Sequence, residues 1–323
     1  MINFRYHVVS IVAVFLALGI GIIMGTSVID RAVVDRLERQ QRSLSKNVDG
    51  VRSENSRLRD QLRKEQGASS RLADEGSQRL LNGTLTDTPV LVVGSRGGKA
   101  DGLDDLVALL GRAKADYRGT LWLTDRFTLD SGSEVRDLAQ ALGLRPDTSA
   151  TALRAAATTR LAEALRPQSV GPVTPVGTAS DLIVALRTSG FLDYDAPDGA
   201  ASDALPVLVA ETRIVVISGA QAAVPDRQLM LPFVRSLVGA PLDGRPSPVL
   251  AVSVQTTSSA QDTFIGPIRK DDALARRMST VDDIDDFAGR LGAVLAIDDL
   301  GEGRVGHYGV GAGAQRLLPA PSG

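Results

Sequence analysis

Cysteine is absent from all 323 residues. Disulfides, thiolate metal sites and thiol nucleophiles are therefore excluded together, and the redox compartment leaves no mark on the chain. Histidine is almost absent: His7 and His307 are the only two, which removes most imidazole chemistry. Aromatic residues make up 4% of the chain. Neither charge sign dominates, since 36 Lys and Arg face 38 Asp and Glu for a formal net charge of −2. That balance gives no electrostatic footprint for a nucleic-acid partner. No GxSxG motif or other nucleophile setting is present, so no enzyme, cofactor or resident metal is expected.

Apolar residues, by contrast, reach 43%, enough for a sizeable core. They open with the run VVSIVAVFLALGIGIIMGTSVI over residues 8–29, which carries no charge. This matches the roughly 20 residues needed to cross a hydrocarbon layer. A cleaved signal peptide has a shorter apolar region of about 7–15 residues and a small-x-small cleavage site. No good cleavage site follows here, so the segment reads as a single retained transmembrane helix. Small residues recur at every fourth position, Ala13, Ala17, Gly21 and Gly25. Gly21 and Gly25 form a GxxxG pair, a spacing that lets membrane helices approach closely. Gly and Ala are also simply frequent in such helices.

Residues 30–66 contain no proline and a single interior glycine, Gly50, amid dense charge. Their apolar residues fall on a heptad. Asp30, Leu37, Leu44, Val51, Leu58 and Glu65 occupy d, and Val34, Gln41, Val48, Asn55 and Leu62 occupy a. Leu at d with Val at a favours a parallel two-stranded coiled coil, and an Asn at a specifies a dimer. Glu54 at g can face Arg59 at e of the second helix. A solvated amphipathic helix lying on its own domain is the competing reading. The expected interface of a homodimer is thus Ala13, Ala17, Gly21, Gly25, Val34, Leu37, Leu44, Val48, Val51, Asn55, Leu58 and Leu62. A coil of this length would span roughly 50 Å at 1.5 Å per residue. Positive residues after the apolar run, Arg31, Arg36, Arg39, Arg42 and Lys46, outnumber the lone Arg5 before it. That bias would hold the coil in the cytoplasm, but long domains cross largely regardless of it, so the residues alone leave orientation open.

The pattern changes again after a polar linker at 67–88. Short apolar runs at 89–93, 120–124, 213–218 and 248–254 read as strands. Helical periodicity covers 103–114, 133–142, 152–165, 179–188, 226–238 and 282–296. The alternation predicts an α/β domain over 89–323 with a mostly parallel sheet covered on both faces. Residues 168–178 divide it into two pseudo-halves.

Three places invite a functional reading. The loop Gly94-Ser-Arg-Gly-Gly98 follows a strand and precedes a helix, as phosphate-binding loops do. It matches neither GxGxxG nor the P-loop, and Asp101, Asp104 and Asp105 would repel a phosphate while suiting a helix N-terminus. The cluster Asp282, Asp283, Asp285 and Asp286 lacks the glycine turn and terminal Glu of an EF-hand. It is explained instead by Thr280 capping a helix with Asp283 at N3. His307, in Val305-Gly-His-Tyr-Gly309, has no second histidine near it in sequence.

The opening MINFRYHVVSIVAVFLALGIGIIMG resembles the start of the actinobacterial MctB family, labelled copper transporters. The blocks Ser279-Thr-Val-Asp-Asp-Ile-Asp285, Gly306-His-Tyr-Gly309 and Leu317-Leu-Pro319 extend the likeness over essentially the whole chain. Its corynebacterial relatives, called SteB, act in cell-envelope integrity and daughter-cell separation with a membrane partner, SteA. The resemblance implies a single-pass protein of the cytoplasmic membrane with an extracytoplasmic C-terminal domain. It implies either a cell-division and envelope scaffold with a SteA-like partner or a copper transport or homeostasis protein. Copper(I) favours Cys and Met ligands. With no Cys, and with Met24, Met230 and Met278 scattered, the scaffold is the expected role and any copper effect is expected to be indirect.

Overall fold

The computed structural model describes residues 4–97, 102–166, 178–200, 208–209, 211–219, 222–239, 247–254 and 263–320. They separate into two units, Met1–Arg71 and Leu72–Gly323. A single α-helix, α1 (Phe4–Leu80), makes up the described part of the first and runs on into the second. No proline interrupts it. It continues through Gly67 and Gly76, where a helical tail passing into a linker was expected. It ends before Asn82-Gly83, where Gly83 takes φ +81°. That left-handed turn is one that glycine adopts without steric penalty. Leu81 and Leu85 are then buried in the α/β unit. Within α1, Arg5–Gly25 is long and apolar enough to cross a membrane, and its side chains are exposed.

The second unit is built on seven strands: β1 (Pro89–Ser95), β2 (Asp116–Leu123), β3 (Leu192–Asp195), β4 (Arg213–Ser218), β5 (Val249–Ser253), β6 (Ser279–Val281) and β7 (His307–Tyr308). Their order across the sheet is β3-β2-β1-β4-β5-β6-β7. All neighbours are parallel except β2 and β3, which run antiparallel at one edge. The sequence anticipated β1, β2, β4 and β5. It missed β3, β6 and β7, because two to four residues are too few to show a period.

Successive side chains of a strand point to opposite faces, and both faces are covered. Leu91, Val93, Leu121, Leu123, Ile214, Val216 and Ala251 pack on one side with α4 (Ala150–Leu165), α5 (Thr178–Thr188), α6 (Met230–Val238) and α7 (Ile265–Lys270). Val90, Val92, Trp122, Val215, Ile217, Leu250 and Val252 pack on the other with α2 (Leu103–Arg112) and α9 (Phe287–Gly301). α3 (Gly132–Ala141) carries a full capping box: Ser131 accepts from the Glu134 amide, and Glu134 accepts from the Ser131 amide. A short α8 (Asp272–Ala275) leads into β6. The connection β6–α9–β7 uses the opposite face from β4–α6–β5 while moving in the same direction across the sheet. It therefore has the opposite hand, a rare choice for parallel crossovers.

One expectation is overturned. Thr280 caps no helix: it lies in β6, and α9 begins at Phe287 with Asp286 as its N-cap. Asp283 has φ +69° and belongs to the turn between them. The helical pattern expected from 226 likewise begins only at Met230. Residues 168–177, expected to divide two halves, lie outside the described residues.

Packing around Gly94 in β1 leaves no room for a side chain. A Cβ there would lie 2.6 Å from Trp122 Cζ3 and 2.9 Å from Ile217 Cγ2. Overpacking of this kind costs about 1–3 kcal/mol. Gly94→Ala is expected to lower the thermal unfolding midpoint, followed through the fluorescence of Trp122, the sole tryptophan.

Candidate functional site

Strand order places β1 beside β4, and from there the chain moves outward in opposite directions. Doubly wound sheets take their ligands at this switch point, outside the carboxyl ends of the two strands. Here the loops that follow the two strands meet. Gly97, just past β1, has φ +94°, and a Cβ on it would lie 3.0 Å from the Ala223 Cβ. The loop after β4 is thus seated directly on the loop after β1. Ser218, at the end of β4, donates to Asp226 Oδ1 at 2.6 Å, and Thr263 donates to Oδ2 at 2.6 Å. These bonds tie that loop to the segment leading into α7. Arg96, the cation of the loop after β1, pairs with Asp193 at 2.7 Å and Asp195 at 3.2 Å. It also stacks 5.1 Å from the Trp122 ring, whose Nε1 donates to Asp195. Asp104 and Asp105 occupy the first turn of α2, as the helix dipole favours. Gly98, Lys99, Ala100 and Asp101 lie outside the described residues.

The second polar centre lies where β6, β7, α7 and the C-terminal segment meet. Arg269 and Asp282 form an ion pair at 2.7 Å with side chains 3% and 4% exposed. An unpaired charge in such a place costs several kcal/mol, so the remaining valences matter. Arg269 also donates from Nε to Thr280 Oγ1 and from Nη2 to the Tyr308 carbonyl. Asp282 accepts from the amides of Val310 and Gly311. These bonds require the chain to pass very close to the pair, which explains the glycines. A Cβ on Gly309, whose φ is +118°, would fall 2.2 Å from Asp282 Oδ1, and one on Gly311 would fall 2.8 Å from Oδ2.

His307 closes the network. Its Nε2 lies 3.0 Å from the Ala275 carbonyl, which can only accept, so that nitrogen carries the proton. Neutral Nδ1 then accepts from the Thr280 hydroxyl at 2.9 Å. Burial, and secondarily the Arg269 charge, push the imidazole pKa below its usual value, against the pull of the Ala275 bond. Beside it, burial and a hydrogen bond to Asp299 push the Tyr308 hydroxyl up to about 12. Arg304 holds the other oxygen of Asp299. Sequence reading found His307 and Asp282 but not Arg269, to which no local pattern points. The spacing of Gly309, Gly311 and Gly313 was the available sign of a tight wrap.

This centre joins the segments 279–285 and 306–309, far apart in sequence. Residues 1–319 match a family described as "Copper transport outer membrane protein, MctB". The chain belongs to that family. It is similar to "Copper transporter MctB" of Mycobacterium tuberculosis (strain ATCC 25618 / H37Rv), with 26% identity over 325 residues, 98% of this chain and 99% of the relative. The protein of that name from Mycobacterium leprae (strain TN) is 27% identical over 332 residues, again 98% and 99% of the two chains.

The donors for copper in this member can be placed. Met230 and Met278 are fully buried among apolar side chains, and both His307 nitrogens are engaged. Met24 lies in the apolar segment of α1. Among the described residues, no three His, Asp or Glu side chains group so as to hold a metal ion. The expected interface residues all lie on α1. Ala13, Ala17, Gly21, Gly25 and Asn55 are exposed, as are Leu44, Val48, Val51 and Leu58. The side chains of Val34, Leu37 and Leu62 lie outside the described residues.

His307 gives the centre a pH signature. Below about pH 6.5 the unfolded chain binds a proton on this ring, while the folded ring, its pKa lowered, does not. Excess proton uptake by the unfolded state reduces stability. The His307 contribution is therefore complete above about pH 6.5 and is lost as pH falls below it. Urea midpoints of the full chain in detergent at pH 7.5 and 5.5 are expected to differ for the native protein, and to converge for His307→Gln.

Proposed function

We propose that this chain serves copper handling in the cell envelope as a membrane-anchored protein, acting through contacts of its α/β domain and not as a conduit. The observation that carries the reading is the family match from residue 1 to 319, which takes in the anchor as well as the domain. Two features shape the mechanism. The sheet is open, mostly parallel and covered by helices on both faces, whereas a transmembrane barrel needs strands of about ten residues that close on themselves with a lipid-facing side. Cysteine is missing, and the methionines of the α/β domain, Met230 and Met278, are buried, which leaves Met24 on the apolar segment of α1. A surface that recruits or steadies another envelope protein fits both facts, and it requires no catalysis by this chain.

In this reading Arg5–Gly25 spans the cytoplasmic membrane, the rest of α1 pairs with a second copy as a parallel coiled coil, and the α/β domain lies outside the cytoplasm. The exposed heptad row on α1 favours a companion role as a dimeric scaffold for a SteA-like membrane protein in cell separation.

A deletion strain separates the two roles. Copper hypersensitivity, reversed by the native gene and equally by His307→Gln, is the expected result, because no ligand to copper is assigned to this ring. Full copper tolerance combined with defective septation would leave the scaffold role alone.

A further inference from the structure

The continuity of α1 from Phe4 to Leu80 fixes which residues share a side. At 3.6 residues per turn, Leu44, Val48, Val51, Asn55 and Leu58 form one narrow stripe. Four of these five are apolar, and the apolar four are 64%, 39%, 60% and 54% exposed. The row of small residues from Ala13 to Gly25 repeats every four residues and so drifts across a coiled-coil seam, which repeats every 3.5. When the heptad is carried back into the apolar segment, its a and d positions fall on Ala13, Leu16, Ile20 and Ile23. Gly21 and Gly25 then take b and f, which point away from a coiled-coil partner.

We propose that two copies of this chain pair in parallel and in register through the Leu44–Leu58 stripe, and that the seam enters the bilayer through Leu16, Ile20 and Ile23. Gly21 and Gly25 stay outside it. The inference rests on the dimer reading above and specifies its face. A second copy fits the stripe for three reasons. Two identical anchors in one membrane bring their helices together parallel. In that arrangement each g residue meets the e residue five positions on in its partner: Gln40 with Ser45, Asn47 with Arg52, Glu54 with Arg59 and Gln61 with Gln66. One of these pairs is attractive and none sets like charges together. Asn55 at a meets Asn55, whose amide can both donate and accept, and a shift of one heptad would strand it against Val48 or Leu62.

The absence of cysteine makes the test direct. Single substitutions Ile23→Cys, Gly25→Cys, Val51→Cys, Ser53→Cys and Leu58→Cys are introduced into the full chain and oxidised with iodine in native membranes. Ser53, at f, is the outward control. Disulfide-linked dimers are expected at Val51, Leu58 and Ile23, at least tenfold more abundant than at Gly25 and Ser53. Linkage at Gly25 equal to or above that at Ile23 would overturn the proposed seam while leaving the dimer standing. No linkage at any position would overturn the dimer itself.

Discussion

A guanidinium and a carboxylate buried side by side hold the far end of this sheet together. The Arg269–Asp282 pair joins α7 to the end of β6, and its remaining hydrogen bonds reach Thr280, Tyr308, Val310 and Gly311. Strands of three and two residues have little pairing energy of their own. Here they are fixed by a network in which each charged atom has a partner, the condition under which a buried ion pair is tolerated. The glycines at 309 and 311 follow from it, since side chains there would collide with the carboxylate. So does the burial of a neutral His307.

The same economy of open space marks the other end of the site. A doubly wound strand order ordinarily leaves a crevice between the first strand and its reversed neighbour. In this chain the loop after β4 lies on Gly97, and Asp226 ties it down through Ser218 and Thr263. Arg96 is held by two aspartates and an indole. Among the described residues the polar groups face one another across that rim. The family's description names copper transport, while the side chains of this member supply few of copper's preferred ligands; the proposed role through contacts reconciles the two.

Much of the fold was legible because it rests on periodicity. The charge-free run, the helix-favouring stretch after it and the four longest buried strands are each long enough to be read. What escaped was set by distant contacts. β6 and β7 are too short to carry a pattern. Asp282 looked like part of a helix start because four aspartates with a threonine ahead of them imitate a cap. Its true partner, Arg269, lies 13 residues earlier on another element, and no local rule links the two. The small-residue row in the apolar segment was legible as a motif, but the drift of Gly21 and Gly25 off the heptad seam emerges only when one continuous helix connects the two.

The claim on which the account turns is that α1 holds the α/β domain outside the cytoplasmic membrane. Gln140, exposed near the end of α3, is a suitable reporter in a chain without cysteine. A Gln140→Cys variant is treated with a membrane-impermeant maleimide in intact cells, with a known external protein as the control for cell-wall access. The account predicts labelling before lysis, at the level of the external control. Protection in intact cells followed by labelling after lysis would place the domain in the cytoplasm and contradict it.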